Sequence, residues 1–143
     1  MLGGRESWRV HSAWADPFRD RYGSLVRARL DRARALSEPE FTAAEAGAAA
    51  IHLLWARFFL TYDFLVMPAA PCAALTETEC TPANRARMLA LTAPASLGGL
   101  PALVFPVALP SGLSAGLQVI VDHPQSPVIS WALEQIKGFE TRK

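Results

Sequence analysis

The segment from Ser37 to Tyr62 most restricts what this chain can fold into. Ser37-Glu38-Pro39-Glu40 has the S-x-x-E form of a capping box, with a proline in the first turn, so a helix is predicted to begin there. After it, Phe41, Ala44, Ala48, Ile51, Trp55, Phe58 and Tyr62 recur at steps of three and four. That is a single apolar stripe over about six turns. A stripe this long needs one whole helix face covered by other protein. Ala43, Ala46, Ala49 and Ala50 widen it, so packing on more than one side is expected. Gly47 costs this helix up to about 1 kcal/mol relative to alanine. Aromatic residues at this spacing read as core, not as a cofactor box.

Upstream, Glu6 to about Leu36 reads as helix in two pieces. Asp16 before Pro17 looks like an N-cap followed by a first-turn proline. Phe18, Tyr22, Leu25, Val26, Leu30 and Ala33 then fall at helical spacing, with Gly23 as a weak interior position. Eight arginines and four acids are interleaved from Arg5 to Arg34, the pattern of a solvated helix face rather than a basic binding patch.

Downstream, Phe64-Leu65-Val66-Met67 is a short apolar run stopped by Pro68 and reads as a buried strand. Pro68-Ala69-Ala70-Pro71-Cys72 is a rigid extended loop at its carboxyl end, where open α/β sheets place ligands. Thr81-Pro82 opens a short helix expected to run through Arg85 and Met88 to about Ala90. Leu91 to Val121 then looks like two buried strands framed by glycine and proline turns. Pro106 demands an edge, a bulge or a strand end, and Pro110-Ser111-Gly112 closes a hairpin only between antiparallel strands. Ser126-Pro127 starts a last helix carrying Val128, Trp131, Ala132, Gln135, Ile136 and Phe139. The order α-α-β-α-β-β-α predicts a sheet with helices packed on it. Three strands are too few to cover all these helices, so the chain reads as the outer part of something larger.

Composition narrows the function. The chain has 143 residues, one domain's worth or less. A net charge of +1 gives no electrostatic case for nucleic acid or an anionic membrane. Met1 to Val10 has no apolar signal core, and the run around Ala46 to Leu60, broken by His52 and Arg57, falls short of the ~20 residues of a membrane span. A soluble cytoplasmic chain is expected. Cys72 and Cys80 fit neither a disulfide framework nor a zinc pattern and read as reduced thiols. His11, His52 and His123 share no motif with a serine, and no metal site is expected. His52 reads as a partly buried, hydrogen-bonded side chain.

Five segments carry a family resemblance. They are Tyr62-Asp63-Phe64-Leu65-Val66-Met67-Pro68-Ala69, Leu91-Thr92-Ala93-Pro94-Ala95-Ser96-Leu97-Gly98-Gly99-Leu100-Pro101, Val104-Phe105-Pro106-Val107, Gly112-Leu113-Ser114-Ala115-Gly116-Leu117-Gln118 and Ala132-Leu133-Glu134. In this order the chain resembles the C-terminal part of the amidase signature family, from about Glu6 onward. Ser96 stands where that family usually has Asn, and Ser114 where it has Pro.

The resemblance implies the C-terminal part of a three-layer α/β/α sandwich with a mixed sheet, with residues 1–143 forming a partial amidase domain. It implies carbon–nitrogen amide hydrolysis by the complete enzyme, without metal or organic cofactor. The family's Ser–cis-Ser–Lys triad lies in a Gly/Ser-rich segment and an upstream strand. This chain has no such segment, and its lysines are Lys137, most simply a helix-end cation, and Lys143. No catalytic residue is therefore carried over. Met67, Ala69, Thr92, Ser96 and Leu97 are expected to line a substrate wall. A small amide is the expected substrate of the complete enzyme only, and an N-terminal amidase half is the implied partner. The competing reading is a stand-alone, non-catalytic binding or interaction module derived from an amidase.

Overall fold

The computed structural model describes the backbone of residues 2–140 and the side chains of residues 2–135. The expectations for Ile136, Lys137, Phe139 and Lys143 lie outside the described side chains. The chain divides into two compact units, Met1–Ala50 and Ile51–Lys143. Helix α3, Glu38–Phe59, runs across the division.

In the first unit, α1 (Leu2–Ala15) and α2 (Ser24–Arg34) are joined through a short 3-10 turn at Arg19–Arg21. The helix predicted to start at Pro17 does not form. Instead α1 stops at Ala15, because the residue before a proline is disfavoured in the helical region. Gly23, expected inside a helix, is the extended residue (ψ 151°) from which α2 departs. Its carbonyl accepts the amides of Val26 and Arg27, both at 3.0 Å. Of the predicted stripe, Leu30 and Ala33 are buried, while Phe18, Leu25 and Val26 are exposed.

Three of the interleaved arginines pair with acids on other elements. Arg5 meets Glu38 at 2.6 and 3.0 Å, Arg19 meets Asp31 at 2.7 and 2.9 Å, and Arg34 meets Asp16 at 3.2 Å. All are exposed, so they fix geometry more than they stabilise it. The Arg5 guanidinium also lies 4.1 Å over the Phe41 ring.

The capping box predicted for α3 is present. Glu40 accepts from the Ser37 amide at 2.9 Å, and the Glu40 amide donates to the Ser37 hydroxyl at 3.4 Å. Six of the seven predicted stripe positions, Phe41, Ala44, Ala48, Ile51, Trp55 and Phe58, are half-buried, whereas Tyr62, past the helix end, is exposed. No α3 residue is fully buried. The widening alanines are exposed, as are Leu53 at 67% and Leu54 at 65%.

The second unit is built on a three-stranded antiparallel sheet of β1 (Phe64–Pro68), β2 (Ala102–Ala108) and β3 (Ser114–Val121), in the order β1-β3-β2. The parallel neighbours of a mixed sheet are not among these strands, so the rule for ligands at parallel strand ends does not place a site here. Only the central strand is buried, at Gln118, Val119, Ile120 and Val121. β1 and β2, expected to be buried, are edges and stay half-exposed. Pro106 sits on edge strand β2, opposite Gly116, where its missing donor costs no ladder bond on the open side. The β2–β3 hairpin closes through Pro110-Ser111-Gly112, with the Gly112 amide on the Leu109 carbonyl at 3.0 Å. Gly112 takes φ 79°, the left-handed residue that follows a type I turn in a three-residue loop.

Paired residues share a sheet face, so the register assigns the sides. Met67, Gln118 and Val104 lie on one face, and Phe64 and Val121 on the other. Gln118 reaches α4 (Pro82–Gly98), while the Phe64 ring lies 5.5 Å from Trp131 of α5 (Pro127–Glu140). This unit is therefore layered helix, sheet, helix. The predicted helix end near Ala90 is corrected: α4 continues through Pro94 to Gly98, so Leu91 to Gly98 is helix rather than turn. Gly99, at φ 64°, ends it. The Gly99 amide bonds the Ser96 carbonyl at 3.2 Å, and the Leu100 amide bonds the Ala95 carbonyl at 3.1 Å. Among the described residues, no helix is long and apolar enough to cross a membrane.

Candidate functional site

The five residues expected to line a wall come from two segments. Met67 is half-buried on β1, on the sheet face towards α4. Ala69, just past the strand, is buried, and its amide donates to the Gly116 carbonyl at 2.8 Å. A methyl at Gly116 would stand 3.1 Å from the Ala69 Cβ, so the loop after β1 lies tightly against β3. Thr92 is half-buried on α4, and its hydroxyl donates back to the Met88 carbonyl at 3.3 Å. Ser96 and Leu97 lie on the exposed side of α4, and among the described residues the Ser96 hydroxyl has no hydrogen bond.

Gln118 ties the two segments together. Its side chain is among the most deeply buried in the chain, and Nε2 donates to the Pro68 carbonyl at 3.1 Å and to the Leu91 carbonyl at 2.9 Å. Pro68 lies between Met67 and Ala69, and Leu91 precedes Thr92. A second tie comes from Trp55 on α3, whose indole N–H donates to the Pro94 carbonyl at 3.0 Å. Neither tie was anticipated from the sequence. A lone amide in Leu117-Gln118-Val119-Ile120-Val121 was the available signal, because a buried polar side chain must find partners.

Several hydroxyl and imidazole groups elsewhere have structural partners. Ser7 and Ser12 donate to carbonyls on their own helix, at 2.7 and 3.4 Å. His11 Nδ1 accepts from the Trp14 indole at 3.1 Å and lies 3.2 Å from the Tyr22 hydroxyl. His123 Nδ1 accepts from the Gln125 amide at 3.2 Å. His52, expected to be partly buried and bonded, is exposed, because it points off the covered α3 face. Cys72 and Cys80 are free thiols. Among the described residues, no cluster of three metal-ligating side chains occurs.

The carboxylates displaced from their ordinary range are Asp31, Glu38, Glu40 and Glu79. Each is lowered first by a side-chain hydrogen bond, from Arg19, Arg5, Ser37 and Thr76 respectively. All are exposed partners in caps or ion pairs, so these shifts report local structure. Met67, Ala69 and Thr92 present apolar side chains and a back-bonded hydroxyl. Such groups suit shape and desolvation rather than proton transfer.

Comparison with known proteins places this architecture. The amidase family model matches residues 6–125. A solved amidase aligns with a TM-score of 0.73 at 26% identity, over 86% of this chain and 30% of its own. A solved bacterial aryl acylamidase of the amidase signature enzymes aligns with a TM-score of 0.68 at 18% identity, over 83% of this chain and 28% of its own. A third structure, described as a vestigial protein complex revealing the evolutionary origins of an s-triazine catabolic enzyme, gives 0.75 at 20% identity, over 86% and 29%. Comparison with curated proteins gave no match. The chain thus spans about 30% of the length of the solved chains it resembles. With the family model covering most of its residues and the same fold recurring in solved amidases, the chain belongs to the amidase family.

Proposed function

We propose that this chain is the C-terminal segment of an amidase-type hydrolase acting on carbon–nitrogen amide bonds, and that it supplies scaffold and substrate wall while other protein supplies the reacting groups. The observation that carries this reading is the pair of bonds from Gln118 to Pro68 and Leu91, which hold the end of β1 against the second half of α4. A buried side chain that fixes two main-chain carbonyls is suited to preserving a pocket's shape. In this reading, Met67, Ala69 and Thr92 contact the substrate, and Ser96 and Leu97, exposed on α4, border the part of the pocket completed by an N-terminal amidase portion. That portion carries the Gly/Ser-rich nucleophile segment and the lysine base, either upstream of this sequence or on a partner chain. The complete enzyme acts on a small amide and needs neither metal nor organic cofactor.

The test is turnover. The 143-residue chain alone is expected to release no ammonia or amine from small aliphatic, aryl and acyl amides. Assembled with an N-terminal amidase portion bearing the Gly/Ser-rich segment, it is expected to hydrolyse at least one of them. Turnover by the chain alone that survives replacing each serine singly would overturn the proposal.

A further inference from the structure

We propose that Gln118 is a positioning residue that sets the gap between the two segments of the substrate wall through its side-chain N–H donors. The word wall rests on the amidase reading above; the positioning itself rests on geometry. A carboxamide has two N–H donors on one end and an acceptor on the other. Both partners of this end are main-chain carbonyls, Pro68 at 3.1 Å and Leu91 at 2.9 Å, so Nε2 must face them and Oε1 must point away. The reverse orientation sets oxygen against two oxygens. The two donors are shared between elements 27 and 50 residues distant in sequence from Gln118. One is the end of an edge strand. The other is a helix whose next turn carries Pro94, a residue without an N–H of its own.

Gln118 stands on the central strand, directly before the buried run Val119, Ile120 and Val121. It is therefore anchored in the stiffest part of the sheet and reaches out to two less buried segments. The Ala69 amide on the Gly116 carbonyl holds the first of these segments a second time. Leu91 receives its side-chain bond one residue before Thr92. Loss of the Gln118 donors frees the helix side of the gap most, and shifts Thr92 relative to Met67.

Hydrogen exchange on the full chain tests this with two variants. Gln118→Met keeps length and apolar bulk without a donor. Gln118→Glu keeps the shape but at neutral pH sets a carboxylate against two carbonyls. Positioning by donation predicts roughly ten-fold lower protection of the amides of Ala69, Thr92, Ala93 and Ala95 to Leu97 in both variants, with Val119 to Val121 unchanged. Lowering the pH protonates the new carboxyl in Gln118→Glu, which regains one O–H donor, so part of the lost protection returns. Gln118→Met shows no such return. A role in packing alone predicts wild-type protection in Gln118→Met, and that result overturns the proposal. Loss of protection spread equally to Val119 to Val121, or outright unfolding of both variants, also overturns it, since Gln118 would then support the sheet and not the gap. None of these readouts uses turnover, so a failure of amide hydrolysis in the assembled enzyme sinks the amidase reading and leaves this one standing.

Discussion

Replacing Gly98 with alanine adds one carbon at the point where α4 meets Trp55. The new methyl would stand 2.7 Å from Trp55 Cδ1, 3.0 Å from Nε1 and 3.3 Å from Leu100 Cδ1. Carbon pairs prefer about 3.5–4.0 Å, so the indole must retreat by roughly 1 Å. Its retreat is restricted by Phe59, stacked at 5.7 Å, and Phe58, edge-on at 5.8 Å. A shift of that size breaks the bond from Trp55 Nε1 to the Pro94 carbonyl, now 3.0 Å. Overpacking costs about 1–3 kcal/mol and a lost hydrogen bond about 0.5–1.5 kcal/mol. The helix preference for alanine over glycine returns at most about 1 kcal/mol, and less at a final residue. The net expectation is a loss of about 1–3 kcal/mol, or roughly 3–10 °C in Tm for a chain of this size. Thermal unfolding followed by circular dichroism reads the loss, and the Trp55 indole N–H resonance, assigned with Trp55→Phe, reads the moved ring. In the double variant with Trp55→Phe, the cost of Gly98→Ala shrinks because the clashing five-membered ring is gone. An unchanged Tm with an unmoved indole resonance would refute the reasoning.

Two further outcomes follow from the structure. Gly47 lies mid-helix on the exposed side of α3 with nothing within 4 Å of an added methyl, so Gly47→Ala is expected to stabilise by about 1 kcal/mol, read as a higher urea midpoint. Glu38 is held below the ordinary carboxylate range chiefly by its hydrogen bond from Arg5. A carboxyl lowered in the folded state contributes stability that is present above its unfolded pKa and lost as pH falls through its folded pKa. Wild-type stability is therefore expected to decline on the acid side, and Glu38→Gln to make that decline shallower; equal acid slopes for the two proteins count against the Arg5–Glu38 assignment.

What the sequence made legible was periodic or closed within a few residues. The α3 stripe was readable because six apolar positions fall on one face, and with Phe59 they are the half-buried residues of the helix. The Ser37 box and the Gly112 hairpin need only their own neighbours to form. The family was legible from five motifs in order, and the family match bears it out. What was misread depended on contacts distant in sequence. Pro94 and Gly98 look like helix breakers locally, yet α4 passes through Pro94 and includes Gly98 as its last residue. The Trp55 indole holds the Pro94 carbonyl, Gln118 holds Leu91, and the left-handed turn comes one residue later, at Gly99. At Asp16-Pro17 the error ran the other way: a pair that suits a helix start instead follows a helix end. β1 and β2 were judged buried by hydrophobicity, which carries no information on which strand lies in the middle. Of the five residues expected to line a wall, Met67, Ala69 and Thr92 are near the Gln118 tie, while the tie itself is not legible because a single glutamine among apolar residues forms no motif.

The strand order β1-β3-β2 also has a kinetic side. β2 and β3 are joined by a three-residue loop and meet as soon as both exist. β1 must wait: Pro68 and the Gln118 that receives it are 50 residues apart. Its pairing is the high-contact-order step of this sheet, slow because the intervening chain must be ordered before the contact is gained. On the ribosome, Phe64 to Pro68 emerges as a lone apolar strand and stays without its partner while α4 and β2 are made. The hairpin is therefore the low-contact-order part of this sheet, and Gln118 belongs to it, while both segments it clasps come from earlier in the chain.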